Sequence, residues 1–267
     1  MDYPKYFKDE NELEEALSRP TSNLAAMFRA LEGDVILLGV AGKMGVSMAR
    51  MAKRACKLAG IEKRIIGVSR FSDKEQQSYL EKSGIETIKG DLLDLEFINS
   101  FLPGLVVQKF KNSRIVAFST GCVYPLVDIT SGGSRESDIP APVGEYAQSC
   151  LGRERLFEYG SIKNGTPVIL IRLNYAVEMR YGVLVDIASK VYNDETLDLT
   201  MGYANVIWQG DANEMILRSL QYCTSPAAHL NISGPELISV AEVAKKFGKI
   251  MGKEVRFKGV EANSALS

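Results

Sequence analysis

Three glycines at three-residue spacing lie between an apolar strand and a helix, in the segment DVILLGVAGKMG at residues 34–45. The apolar run Val35–Leu38 is typical of a strand buried on both faces of a parallel sheet. Gly39 permits a tight turn, Gly42 lets the backbone approach a pyrophosphate, and Gly45 lets the following helix pack on the strand. The helix N-terminus supplies N–H donors and a positive dipole end. This order predicts a dinucleotide site, and the alternative is a strand–turn–helix without a ligand.

The residues after the second glycine extend this candidate site. Lys43 adds a cation beside the predicted phosphate position, and the helix predicted over Met44–Leu58 contains neither glycine nor proline. The predicted cofactor-binding residues of the loop are Gly39, Gly42, Lys43, Met44 and Gly45.

Composition excludes several classes of protein. The 267 residues are 46% hydrophobic and carry a formal net charge of −1, so no global field attracts nucleic acid or an anionic membrane. Four cysteines without C-x-x-C spacing and a single histidine predict neither a zinc site nor a disulfide framework. No apolar run approaches the length of a membrane span. We therefore expect a cytoplasmic protein with reduced thiols and no metal.

Strands and helices alternate along the chain after a helical prefix at residues 1–33. This alternation predicts an α/β fold with a parallel sheet, right-handed crossovers and ligands beyond the carboxyl ends of the strands. The predicted strands after the glycine loop are Arg64–Val68, Ile85–Lys89, Ser113–Phe118, Pro167–Leu173, Asn205–Asp211 and His229–Ser233. The predicted helices are Asn11–Leu17, Ser22–Leu31, Gln76–Ser83, a helix around Tyr146–Glu154, Val183–Tyr192, Ala212–Tyr222 and Ser239–Met251.

The end of the second strand bears on the choice of cofactor. In dinucleotide folds an acid there favours NAD, whereas a nearby arginine accommodates the 2′-phosphate of NADP. Ser69 and Arg70 occupy this position, so the sequence favours NADP over NAD. The alternative is an arginine that is merely exposed in a loop.

The set of motifs resembles the extended short-chain dehydrogenase/reductase family, in its NAD-dependent epimerase/dehydratase branch. The glycine loop, Asp91 with Leu92 after the third strand, Thr120 ahead of Val123-Tyr124, and Tyr146 of a Y-x-x-x-K helix carry the resemblance. It implies a Rossmann-type doubly wound parallel sheet, adenine contacts at Asp91 and Leu92, and catalysis by Thr120 and Tyr146. It also implies a sugar or nucleotide-sugar substrate and a possible homodimer through the Tyr146 helix.

The chain departs from the family pattern at three places. Cys150 stands where the family has the catalytic lysine that lowers the pKa of the tyrosine, and Arg153, on the same helical face, is a candidate substitute. Between Asp94 and Ser119 there is room for one helix and one strand, which predicts that a central strand is missing and that residues are omitted near Ser100. The chain also ends at Ser267, where the family continues.

Two functions follow from this pattern. The first is an NAD(P)-dependent epimerase, dehydratase or oxidoreductase, and the second is an NAD(P)-binding sensor or scaffold whose catalysis has decayed at Cys150. The predicted domains are a Rossmann domain at residues 34–175, completed by 205–235, and a small substrate domain at 176–204 and 236–267.

Overall fold

The computed structural model describes residues 4–90 and 102–266. Over these residues strands and helices alternate, as the sequence predicts. The α-helices are α1 (Glu10–Leu17), α2 (Ser22–Ala30), α3 (Gly45–Ala59), α4 (Lys74–Lys82), α5 (Leu102–Lys109), α6 (Glu145–Asn164), α7 (Val183–Tyr192), α8 (Gln209–Arg218) and α9 (Val240–Met251). The strands are β1 (Val35–Leu38), β2 (Ile65–Ser69), β3 (Glu86–Lys89), β4 (Ile115–Thr120), β5 (Val127–Asp128), β6 (Val168–Leu173), β7 (Tyr175–Val177), β8 (Leu197–Asp198), β9 (Tyr203–Trp208), β10 (Ala228–Ile232), β11 (Leu237–Ser239), β12 (Phe257–Lys258) and β13 (Ser264–Ala265).

Strands β1, β2 and β3 form a parallel sheet in that order. Val35 lies beside Ile65, and Ile66 lies beside Glu86, with α3 and α4 as the connections. Because the strands run in the same direction, their carboxyl ends lie together, and the glycine loop and Arg70 follow β1 and β2 at this end of the sheet. The amino ends of all three strands lie at the opposite end.

A second three-stranded sheet has the order β10, β6, β4. Within residues 4–90 and 102–266, β1 is hydrogen-bonded to β2 alone and is therefore an edge strand. Ile36 and Leu38 of β1 are accordingly 43% and 41% exposed within this part of the chain. The predicted omission near Ser100 lies outside the described residues, as do Asp91 and Leu92.

The helical prefix packs against α3 and α8. Leu13, Leu17, Leu24 and Phe28 are buried, as the apolar spacing of α1 and α2 requires. Asp9 caps α1 and Thr21 caps α2 through their side chains. The Thr21 hydroxyl also donates a hydrogen bond to Glu214 of α8. The prefix is thus joined to helices much later in the chain by both apolar and polar contacts.

The later strands form smaller sheets. Strand β9 pairs antiparallel with β11 and parallel with β7. The predicted strand Asn205–Asp211 is shifted, because β9 spans Tyr203–Trp208 and α8 begins at Gln209. Gln209, Ala212 and Asn213 are buried at the spacing of one helical face, which is consistent with a helix at this point. Helices α7 and α9 share an apolar cluster of Ile187, Val191, Leu197, Val240 and Ala244.

The chain divides into two compact units. The first comprises Met1–Val116, Leu156–Ile169 and Gln209–Ala228, and the second comprises Ala117–Arg155, Leu170–Trp208 and His229–Ser267. The glycine loop belongs to the first unit, and Thr120 and Tyr146 belong to the second. The domain boundaries expected from the sequence stay a prediction. None of the helices in the described parts of the chain combines the length and apolar character that crossing a membrane requires.

Candidate cofactor and catalytic site

The glycine loop of the first unit leaves the carboxyl end of β1 in a tight turn. Gly39 has a φ of 79°, a left-handed conformation that side chains with a Cβ rarely adopt. Its N–H donates to the Val68 carbonyl of β2 at 2.8 Å. The N–H of Gly42 then donates to Gly39 and that of Gly45 to Gly42, at 2.9 and 3.1 Å. Hydrogen bonds between successive glycines therefore fold the loop back toward α3.

Gly45 lies too close to the backbone for any larger residue. A Cβ built there would lie 2.3 Å from the Val40 carbonyl oxygen, which is well inside van der Waals contact. Helix α3 therefore begins directly against the turn, one residue later than Met44, which occupies the N-cap position.

The first turn of α3 is a potential anion site. Among the described residues, no side chain caps this helix, in contrast to α1, α2 and α4. The first N–H groups of a helix have no partner within the helix, so they are suited to a phosphate. Lys43 is exposed in the same loop. The chemistry of this donor set, a left-handed glycine turn with an uncapped helix end, fits a dinucleotide diphosphate.

Ser69 and Arg70 lie at the same edge of the sheet as the glycine loop. Leu38 pairs with Val68, so the residues that follow each of them are neighbours across the two strands. Ser69 is the last residue of β2, and Arg70 is exposed. Phe71 after them is buried and has a φ of 49°, which turns the chain sharply away from β2. The structure thus brings Arg70 to the edge that carries the glycine loop.

Thr120 and Tyr146 meet in the second unit. Thr120 ends β4, and its Oγ1 accepts a hydrogen bond from the Cys122 N–H at 3.2 Å. Tyr146 lies in the first turn of α6 and is 64% exposed as a whole, but its hydroxyl end is near enough to Thr120 and Cys150 for both to shift its pKa. The two residues that are predicted to be catalytic therefore lie close together.

The surroundings of Tyr146 disfavour the tyrosinate. Burial of the hydroxyl end raises the pKa of Tyr146 above its ordinary value, and the thiol of Cys150 raises it further. A hydrogen bond to Thr120 lowers the pKa but does not offset these effects, and the Cys122 thiol adds to the rise. A phenol with a raised pKa stays protonated at neutral pH, so Tyr146 is a hydrogen-bond donor there rather than a base.

Cys150 fills the predicted lysine position as a buried thiol. It is 1% exposed and packs with Val123, Tyr124 and Leu151. The Arg153 guanidinium, proposed from the sequence as a substitute cation, donates from Nη2 to Cys150 Sγ at 3.3 Å. The guanidinium of Arg153 therefore contacts the Cys150 thiol.

A buried polar network anchors α6 to the sheet. Glu154 is fully buried and accepts two hydrogen bonds from Arg172 of β6, at 3.1 and 2.8 Å. It also accepts a hydrogen bond from Ser119, the residue before Thr120. Arg172 donates from Nη1 to the Tyr124 hydroxyl at 2.6 Å. The same carboxylate thus joins the helix of Tyr146 to the strand end of Thr120.

Sequence reasoning did not find this network, although one signal was present. Arg172 interrupts the apolar run of β6, and a charged residue in a strand that is otherwise buried requires a partner. Glu154 lies eight residues after Tyr146 on α6, but nothing local indicates that it faces the sheet. The sequence indicates a structural role for His229 in the last strand, and its Nε2 lies 3.7 Å from Glu154.

Several solved structures with a similar fold are nucleotide-sugar enzymes. The UDP-glucuronic acid 4-epimerase of Bacillus cereus, solved with UDP-glucuronic acid and NAD, is 14% identical, with a TM-score of 0.69 over 86% of each chain. The dTDP-glucose 4,6-dehydratase of Bacillus anthracis, solved with NAD, is 15% identical, with a TM-score of 0.72 over 86% of each chain. The UDP-glucose 4-epimerase of Thermus thermophilus, solved with NAD, is 16% identical, with a TM-score of 0.64 over 86% of this chain and 87% of that one.

These similarities confirm the predicted Rossmann-type α/β fold. No protein-family model matches the sequence, and none of the curated proteins matches it. At such low identity, shared architecture says nothing about individual side chains. The function must therefore be argued from the residues described above.

Proposed function

We propose that this protein is an NAD(P)-dependent oxidoreductase of the epimerase/dehydratase type that acts on a nucleotide sugar through Tyr146 and Thr120. The observation that carries the proposal is the proximity of Thr120 and Tyr146, in a chain whose glycine loop leads into a helix without a side-chain cap. The similar solved structures bind NAD and UDP- or dTDP-sugars, which supports this class of substrate.

The glycine loop is the proposed cofactor site. The N–H groups at the start of α3 would hold the diphosphate, with Lys43 adding a positive charge. Arg70 would contact the 2′-phosphate of NADP, and we therefore propose NADP as the preferred cofactor. When bound, the nicotinamide ring supplies hydride transfer to and from a sugar carbon.

The proposed role of Tyr146 is to move a proton at a sugar hydroxyl. Its phenol oxygen takes this proton when the hydroxyl is oxidised and returns it when the carbonyl is reduced. Thr120 shares the hydrogen bond and holds the phenol in place. Because the pKa of Tyr146 is raised above that of an ordinary tyrosine, the base form is scarce at neutral pH and becomes more abundant as the pH rises. We therefore expect activity to rise with pH through the alkaline range.

The decisive experiment is a screen for turnover. UDP-glucose, UDP-glucuronic acid and dTDP-glucose would be incubated with the protein and NADP or NAD at neutral and alkaline pH. Nicotinamide absorbance reports net oxidation, and chromatography of the sugars detects epimers and dehydrated products. Tyr146→Phe should lower any rate by roughly 10²–10⁴-fold. Activity that Tyr146→Phe leaves unchanged would place the chemistry at other residues.

A second function is favoured by the thiol beside Tyr146. A protein that binds NAD(P) without turnover needs no base, and Cys150 raises the pKa of Tyr146 instead of lowering it. Such a sensor or scaffold would bind the cofactor tightly but convert none of the sugars, even at alkaline pH. The same screen therefore separates the two functions, provided that cofactor binding is measured on the same preparation.

A further inference from the structure

A polar cavity lies at the amino ends of the first three strands, away from the glycine loop. Its volume is about 780 Å³, within the range of small-molecule sites. Asp34, Arg64 and Glu86, which line it, stand at or immediately before the starts of β1, β2 and β3. The glycine loop and the cavity therefore lie at opposite ends of the strands of the same parallel sheet. All residues that line the cavity belong to the first unit.

The charged side chains in the cavity wall are mostly cationic. Six lysines and arginines face four carboxylates, an excess of two positive charges in a chain whose overall net charge is −1. Four of the cations lie on one face of α3 at the spacing of a helical stripe, and the remaining two precede β2. They are Arg50, Lys53, Arg54, Lys57, Lys63 and Arg64. The wall of the cavity therefore carries a net positive charge, which favours an anionic ligand.

The arginines of the cavity already have carboxylate partners. Arg64 donates two hydrogen bonds to Glu86, at 2.8 and 2.7 Å. Arg50 and Arg54 both form ion pairs with Glu15 of α1. Lys63 binds the carbonyl oxygens at the end of α2. These contacts occupy the donors of the three arginines and of Lys63.

Lys53 and Lys57 are the cations of the wall that remain for a ligand. Among the described residues, neither forms an ion pair or a hydrogen bond through its side chain. They are four residues apart on α3 and so lie on the same face. Lys53 is half-buried and passes over Gly84, where a Cβ would lie 3.0 Å from its Cε. The glycine thus leaves room for the lysine stem beside the cavity.

We infer that this cavity binds a small molecule with at least two adjacent negative charges, such as a diphosphate or phosphate ester group, through Lys53 and Lys57. Lysine ammonium groups act as compact point charges for phosphate, and two of them match the excess charge of the wall. The ten charged side chains of the wall favour a charged ligand over an apolar one. The site does not depend on the function proposed above, because it uses different residues at a different edge of the sheet.

Amide NMR spectra of the whole protein during a pyrophosphate titration test this site. Saturable shifts are expected at Ile61, Ile65 and Gly84, which line the cavity. The double variant Lys53→Ala with Lys57→Ala should weaken this binding by roughly tenfold or more, since each substitution removes a charge-assisted hydrogen bond to pyrophosphate. The double variant Lys53→Arg with Lys57→Arg should retain pyrophosphate binding, because both substitutions keep the positive charge.

A control with the same loss of charge is Lys74→Ala with Lys109→Ala, because both lysines are exposed and neither lines the cavity. This control should bind pyrophosphate as the wild type does. Shifts confined to Gly42 and Gly45 would assign pyrophosphate to the glycine loop and overturn the proposal. Equal weakening in both double variants, or no saturable shift at the cavity, would overturn it as well.

Discussion

Single residues decide whether the glycine loop can exist in this form. A methyl group at Gly45 would overlap the Val40 carbonyl, so Gly45→Ala must displace α3 or the turn. We expect a loss of about 1–3 kcal/mol in the free energy of unfolding, as for other overpacked sites. Urea unfolding measures it. Gly152→Ala on α6 is the control, because its methyl group meets open space, and we expect it to be neutral or stabilising.

The charge of the side chain at position 150 is expected to control the pKa of Tyr146. Cys150→Lys would place a cation beside the Tyr146 hydroxyl, and an adjacent cation favours the tyrosinate and lowers the pKa. We expect the pH profile of turnover to move to lower pH and the rate at neutral pH to increase. Cys150→Met is the matched control because it fills the same buried space without charge. Identical profiles for the two variants would show that the thiol does not govern Tyr146.

Arg70 is expected to distinguish the two cofactors. Arg70→Ala removes a charge-assisted hydrogen bond to the 2′-phosphate of NADP, so NADP binding should weaken by about 1.5–3 kcal/mol. NAD has no 2′-phosphate, and its affinity should hardly change. Calorimetric titration with each cofactor measures the difference. An equal loss for both would assign Arg70 a structural role.

Between elements, the buried pair of Glu154 and Arg172 holds α6 against β4 and β6. Glu154→Leu would leave the Arg172 guanidinium buried without its carboxylate, and we expect a loss of roughly 3–5 kcal/mol in the free energy of unfolding. Adding Arg172→Met should restore much of this loss, because the uncompensated charge is then removed. Chemical unfolding of both single variants and the double variant gives the coupling between the two residues.

The exposed ion pair of Arg64 and Glu86 provides the comparison for the buried pair of Glu154 and Arg172. Arg64 and Glu86 form an equally short contact between β2 and β3, but their side chains are 60% and 49% exposed. Glu86→Gln should therefore hardly change the free energy of unfolding, as is usual for pairs in contact with water. A similar cost for Glu154→Leu would mean that the buried pair does not anchor the helix.

For the molecule as a whole, cofactor binding should increase the free energy of unfolding. A ligand that binds only the folded chain stabilises it by about 2.7 kcal/mol at a concentration of 100 times its dissociation constant. We expect NADP to raise the melting temperature in a concentration-dependent manner and adenosine, which lacks the diphosphate, to have little effect. Thermal unfolding followed by circular dichroism measures this. Equal stabilisation by adenosine would exclude the glycine loop as the main source of affinity.

The sequence alone determined the order of elements and the form of the cofactor loop. Apolar runs, helical spacing and glycines act over a few residues, so Val35–Leu38, the turn at Gly39 and the helix after Gly45 could be read directly from it. The pairing of Thr120 with Tyr146 was expected from the family resemblance alone.

Only the tertiary structure decided which side chains share a buried environment. The partnership of Glu154 with Arg172, the Cys122 thiol near Tyr146 and the basic cavity each join residues from different elements of the chain. Burial and charge neutralisation depend on which surfaces pack together, and local patterns do not encode that choice. Arg153 illustrates the limit: helical spacing placed it on the face of Tyr146 and Cys150, but packing directed its guanidinium to the thiol.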